Sequence, residues 1–271
     1  MIFNKKNYYL SNEVYDLCRL ITKRYKIEMK SYGLFEEIIF TINNIAQVMT
    51  QDAIEILGNL INNASETENP ELILLFIKIL NSIICLFHQI NYQDFPEFFE
   101  DNLSSWMKIL KVAIEFTLPP LFFNDKNILK AFLRLKTKTM RALNLYCYNY
   151  YEDFKDYHDS FIQPVWNLLM ITKNDDIYYK FTKELLEYYK VLFNNDRINS
   201  QNFNVTEISQ HIIQNLIIPN MKLSSKELDD FEDNPVNFLK VELEEVDMES
   251  SIFYLFFGIK FIKEFFIYFL K

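Results

Sequence analysis

Glycine is nearly missing from this 271-residue chain: only Gly33, Gly58 and Gly258 occur, where average usage of roughly 7% would give about nineteen. Tight hairpins and phosphate-cradling loops need residues that accept positive φ, so the shortage excludes a Rossmann domain, a P-loop and a β-barrel. Cysteine is also sparse. Cys18, Cys85 and Cys147 stand more than sixty residues apart, with no paired cysteines or histidine at ligand spacing. Neither a zinc site nor a disulfide framework is indicated, and the three read as small buried hydrophobes. The three histidines stand alone and no G-x-S-x-G elbow exists, so no nucleophilic triad is marked. His88, within an apolar stretch, reads as a hydrogen-bonded core histidine. His158 and His211 have polar flanks and read as surface or interface residues. The chain is expected not to be an enzyme and to need no cofactor or metal.

Basic charge is in deficit as well. Lysine and arginine number 28 against 37 aspartates and glutamates, a formal net charge of -9. The imbalance is local: residues 224–249 hold ten acidic side chains and two basic ones, Lys226 and Lys240. The remainder is almost neutral, so no nucleic-acid partner is expected. The acidic run has two readings, a solvated loop and helix face or a docking surface for a basic partner.

What the chain does have is apolar surface at helical spacing. Half the residues are hydrophobic and 17% are aromatic, enough to bury a large core and exclude a disordered tail. Asn12 reads as the cap of a helix bearing Val14, Leu17, Cys18, Ile21 and Tyr25 that ends near Ser31. Helices are expected over Leu34 to Met49 and from Asp52 onward. Asn69 and Pro70 open a long helix apolar on most of its circumference. A break at Gln93 to Pro96 is followed by a helix from Asn102, closed by Pro119 and Pro120. Asp125 to Tyr151 is long and amphipathic, with Lys126, Lys130, Arg134, Lys136, Lys138 and Arg141. Further helices are expected over Phe154 to Thr172, interrupted by Pro164, then over Asp175 to Phe193 and Val205 to Ile218.

No segment shows sustained period-two alternation, so a sheet is not expected. About ten helices joined by short connectors give roughly 40 residues per helix pair, the spacing of an all-α superhelix of the HEAT or armadillo kind. A compact bundle is the structural rival. Length and the absence of a linker favour the repeat array.

Residues 252–271 form a Phe-rich segment long enough to span a bilayer. Lys260, Lys263 and Glu264 fall in its middle and argue against a membrane span. It reads alternatively as a buried solenoid helix, or as translated non-coding sequence, since its dominant residues can all be written with A and T codons.

Four stretches in order carry a more specific signal. Asn91 to Met107, NYQDFPEFFEDNLSSWM, resembles the marked motif of the CAS/Cse exportins of the karyopherin-β superfamily, the re-exporters of importin-α. KRYKIEMKS (Lys23 to Ser31), VWNLL (Val165 to Leu169) and IIPNMKLSSKELDDFEDNP (Ile217 to Pro235) resemble that family's other elements. The resemblance covers about residues 12–249.

It implies a HEAT-repeat segment over residues 1–251, with residues 252–271 outside it. It implies a nuclear export receptor that binds importin-α together with Ran-GTP, engages nuclear pore proteins and shuttles between nucleus and cytoplasm. The corresponding acidic loop of the family is an insertion within a HEAT repeat that approaches Ran, so Glu227, Asp229, Asp230, Phe231, Glu232 and Asp233 are the implied partner-binding positions. After that loop the family continues with a paired-arginine run, where this chain has KVELEEVDMESS and only Lys240 corresponds. The family is also several times longer than this chain. The alternative is a general helical-repeat scaffold, anchored to a membrane by its terminal segment.

Overall fold

A computed structural model describes residues 7–66, 69–170, 172, 176–194, 210–218 and 225–236. Among these there are helices and no strand. They fall in two compact units, Met1–Ile171 and Thr172–Lys271. The expected boundary at 251/252 and the Phe-rich segment lie outside the described residues.

In the first unit, α1 (Tyr8–Thr22) is followed by a 3-10 turn over Lys23–Lys26, then α2 (Tyr32–Glu66) and α3 (Pro70–Ile90). Next come α4 (Glu97–Asp101), α5 (Leu103–Glu115), a 3-10 turn over Pro120–Asn124, α6 (Lys126–Asn149) and α7 (Tyr151–Met170). Helices α1, α3 and α6 lie side by side in one row, with α3 in the middle, and α2, α5 and α7 form the second row. This two-row stacking of successive helices is what a repeat array requires.

Several starts follow from local chemistry. The Asn69 side chain accepts from the Leu72 amide at 3.1 Å and Pro70 occupies the first turn, where its missing N–H costs nothing. Asp125 caps α6, its Oδ1 accepting from the amides of Asn127 at 2.8 Å and Ile128 at 3.1 Å. Asn7, not Asn12, caps α1: its Oδ1 accepts from Leu10 at 3.2 Å. That moves the helix start five residues upstream of the sequence reading.

Two expected interruptions do not occur. The helices expected over Leu34–Met49 and from Asp52 are one 35-residue helix, α2. Thr50, Gln51 and Asp52 cost at most about 0.7 kcal/mol each in a helix. Met49, Ala53 and Ile56 around them are buried, and Tyr15 of α1 donates to Asp52 Oδ2 at 2.7 Å. Likewise α7 runs unbroken through Pro164. A mid-helix proline costs about 3 kcal/mol. Phe161, Ile162, Val165 and Leu168 around it are buried, and about 1.5–3 kcal/mol for each such side chain outweighs that cost.

The core centres on α3, which among the described residues is the one helix long and apolar enough to cross a bilayer; that apolar surface is largely buried in the helix stack. Phe87 stacks on Trp106 of α5 with centroids 4.0 Å apart and planes 10° from parallel, and on Tyr146 of α6 at 5.8 Å. Phe99 meets both Phe87 and Trp106 edge-on. Cys85 and Cys147 are buried as expected, whereas Cys18 is partly exposed, and none of the three is bridged. His158 is buried, not at the surface, because it sits against Tyr151 and Phe154 at 5.9 Å. His88 is buried as expected, but no hydrogen bond to it is found among the described residues. Burial pushes its imidazole down to about 3, helped by the nearby charges of Lys26, Arg141 and Lys138.

In the second unit, a 3-10 turn over Asp176–Tyr178 leads into α8 (Tyr179–Asn194), whose Phe181, Leu185, Leu186, Tyr188, Tyr189 and Leu192 are buried. A π-helical turn covers Ile212–Ile217, and α9 covers Ser225–Asp233. Of the expected helix over Val205–Ile218, residues 205–209 lie outside the described part.

Candidate functional site

The acidic positions singled out in the sequence lie on α9. Nine residues, SKELDDFED, form it, with no basic residue in its last turn. Asp229, Glu232 and Asp233 are exposed, and the side chains of Glu227 and Asp230 lie outside the described part. Leu228 and Phe231, one helical turn apart, are 44% and 38% exposed. An apolar pair is thus presented among carboxylates.

The electrostatics of this helix are self-opposing. Helix C-termini carry a partial negative charge, and carboxylates there are unfavourable by a few tenths of a kcal/mol, roughly 0.3–1 each. Glu232 and Asp233 occupy that end. A cation arriving from a partner would relieve this, and an aromatic residue beside it offers buried contact area. The described side chains of α9 thus make a negatively charged surface patch around an apolar pair. Among the described residues no three His, Cys, Asp or Glu side chains form a metal cluster.

The other motif stretches are structural. Tyr25 of KRYKIEMKS is buried, with its hydroxyl 2.8 Å from Thr41 Oγ1 and donating to Glu37 Oε1 at 3.1 Å. Arg24 pairs with Glu37 and, at 3.6 Å, with Glu28. Ser31 Oγ accepts from the Leu34 amide at 3.2 Å at the start of α2. The Asn91–Met107 stretch turns the chain from α3 into α5. Asn91 is fully buried, its Nδ2 donating to the Phe87 carbonyl at 2.8 Å while its own carbonyl accepts from Tyr150 at 2.7 Å. Gln93 Nε2 donates to the carbonyls of Tyr25 at 2.5 Å and Glu28 at 2.7 Å. Lys26 lies 4.7 Å above the Tyr92 ring. These two motifs, far apart in sequence, therefore form one corner of the fold. In VWNLL, Val165, Leu168 and Leu169 are buried.

Sequence reasoning missed the burial of Lys136. Its ammonium donates to the carbonyls of Ala113 at 2.8 Å, Ile114 at 2.7 Å and Phe116 at 2.5 Å. These are carbonyls at the end of α5, where no amide is available to them. Burial pushes the ammonium down to about 7, against Glu115 and against three acceptors that favour the protonated form. The available signal was its place among Leu133, Leu135 and Met140, all buried.

Comparison with known proteins gives a consistent result. A family model described as Cse1 matches residues 21–253. Exportin-2 of Drosophila melanogaster is 27% identical over 251 residues, covering 92% of this chain and 25% of the relative. Exportin-2 of Homo sapiens is 27% identical over 252 residues with the same shares. A solved structure described as the exportin Cse1 in its cargo-free, cytoplasmic state is similar with a TM-score of 0.77 at 22% identity, over 97% of this chain and 28% of that one. That likeness carries the fold, an all-α HEAT-repeat solenoid. The chain spans about a quarter of the length of the curated relatives it matches.

Proposed function

The chain belongs to the Cse1 family, and on that premise we propose that it is a segment of a nuclear export receptor, not an enzyme, which with Ran-GTP binds importin-α and returns it to the cytoplasm. The observation that carries this reading is the match over residues 21–253, which takes in helices α2 to α8 and the acidic helix α9. Residues 1–251 are the HEAT-repeat segment. In the cell it shuttles through the nuclear pore and touches pore proteins on the way.

Glu227, Asp229, Asp230, Phe231, Glu232 and Asp233 face Ran in this reading. Ran and importin-α both offer basic surfaces, so the sign of charge fits. The mechanism is cooperative. A flexible solenoid is ordered around two ligands, and each lowers the ordering cost for the other.

The test is nucleotide dependence. Immobilised chain is offered importin-α with Ran locked in the GTP form, with Ran-GDP, or without Ran. Capture of importin-α only in the first case is the expected result. Capture that ignores the nucleotide overturns the proposal and favours a general helical-repeat scaffold.

A further inference from the structure

Three helices of the first unit converge on a groove of about 530 Å³ whose walls carry five cations: Arg19 of α1, Lys78 of α3, and Lys130, Arg134 and Lys138 of α6. One carboxylate, Asp16, lines the same groove, and it is held by Arg19 at 2.6 Å. Among the described residues, Lys78, Lys130, Arg134 and Lys138 have no carboxylate partner.

This arrangement works against the fold. Lys130, Arg134 and Lys138 recur every four residues on one face of α6, where like charges repel and disfavour the helix. Burial, reinforced by the guanidinium groups of Arg141, Arg134 and Arg19, holds the Lys138 ammonium below its ordinary value, with Cys85 acting the other way. A concentration of unneutralised positive charge in a concavity is what an anion would relieve.

The shape and the surrounding charge select the kind of anion. The volume lies within the range of small-molecule sites, roughly 300–1,000 Å³. The cations come from three helices and line one hollow, which suits a compact anion. The guanidinium of Arg134 offers the forked donor geometry that matches phosphate oxygens, while Arg19 is already held by Asp16 and adds its charge. We propose that this groove binds a compact organic polyphosphate, its phosphate groups received by Arg19, Lys78, Lys130, Arg134 and Lys138. The proposal stands apart from the export-receptor reading and does not depend on it.

The test is calorimetric titration of the full chain with inositol hexakisphosphate at low and at physiological salt. Saturable one-to-one binding that weakens as salt rises is the expected result. Lys130→Glu and Arg134→Glu, both at exposed positions, weaken the affinity by about tenfold or more, as loss of a direct charge pair in a groove does. Lys126→Glu, an exposed cation on the same helix outside the groove, leaves it within about twofold because a solvated charge at a distance is screened. Circular dichroism of each variant shows that the helices are intact. Vesicles bearing a phosphoinositide headgroup, run beside the free inositol phosphate, tell which source of the same chemistry the groove takes. The proposal is overturned by the absence of saturable binding at low salt, by an equal loss in Lys126→Glu, or by tighter binding of an oligoglutamate peptide of equal charge.

Discussion

The fully buried ammonium of Lys136 lies 2.5 Å from the carbonyl oxygen of Phe116, the residue that directly follows α5. With the Ala113 and Ile114 carbonyls as its other acceptors and the Phe132 ring 5.0 Å away, this one side chain of α6 closes the end of its neighbour. A lysine serves here as a C-cap supplied from another helix.

Lys136→Met keeps most of the stem and leaves the three carbonyls without their donor. Unsatisfied buried acceptors cost about 1–3 kcal/mol each before relaxation, so a loss of about 3 kcal/mol is expected. Urea denaturation measures it, and a loss under about 1 kcal/mol would mean that water replaces the ammonium.

His88 gives the chain an acid sensitivity. Its folded value of about 3 lies below the ordinary 6.5, so between these limits the unfolded chain binds the extra proton. Its contribution is complete above pH 6.5 and is lost as pH falls toward 3. The expected slope is about 1.4 kcal/mol per pH unit. Denaturation of the native chain and of His88→Gln at pH 7, 6 and 5 checks it. Equal slopes in the two proteins would assign the acid sensitivity elsewhere.

Trp106 separates stacking from hydrogen bonding. Its Nε1 is buried with no acceptor, so Trp106→Phe loses no hydrogen bond. Trp106→Ala empties the site against Phe87 and Phe99 and is expected to cost about 3–5 kcal/mol, with Trp106→Phe well below that. Thermal unfolding of the pair decides, and similar losses would show that the indole N–H has a partner after all.

For α9, reversing Asp229, Asp230, Glu232 and Asp233 to lysine is expected to weaken Ran-GTP binding and flatten its dependence on salt. Asp229, Glu232 and Asp233 are exposed, and the melting temperature is expected to hold. Affinity unchanged at low salt would remove α9 from the interface.

The helical class, the cap at Asn69 and the start at Asp125 were legible in the sequence because each rests on local chemistry. The uninterrupted α2 and the tolerated Pro164 were not, since in both places burial of neighbours such as Met49 and Phe161 outweighs a local preference. His158 carries polar neighbours in sequence and aromatic ones in space. The acidic positions were visible as a composition bias. The groove was visible only in part: the i, i+4, i+8 spacing of Lys130, Arg134 and Lys138 was present, but nothing in the sequence placed Arg19 and Lys78 across from it. The same holds for Gln93, whose two acceptors on Tyr25 and Glu28 are reached only through the folded corner.

The length of α2 has a mechanical meaning. At 1.5 Å per residue its 35 residues make a rod about 52 Å long, and it lies against both α3 and α5. Sliding either neighbour along the rod would break side-chain contacts at several turns together, whereas bending the rod would strain hydrogen bonds along its ladder. Helix α2 is therefore a splint. It ties α3 and α5 to one rod, so the three shift together.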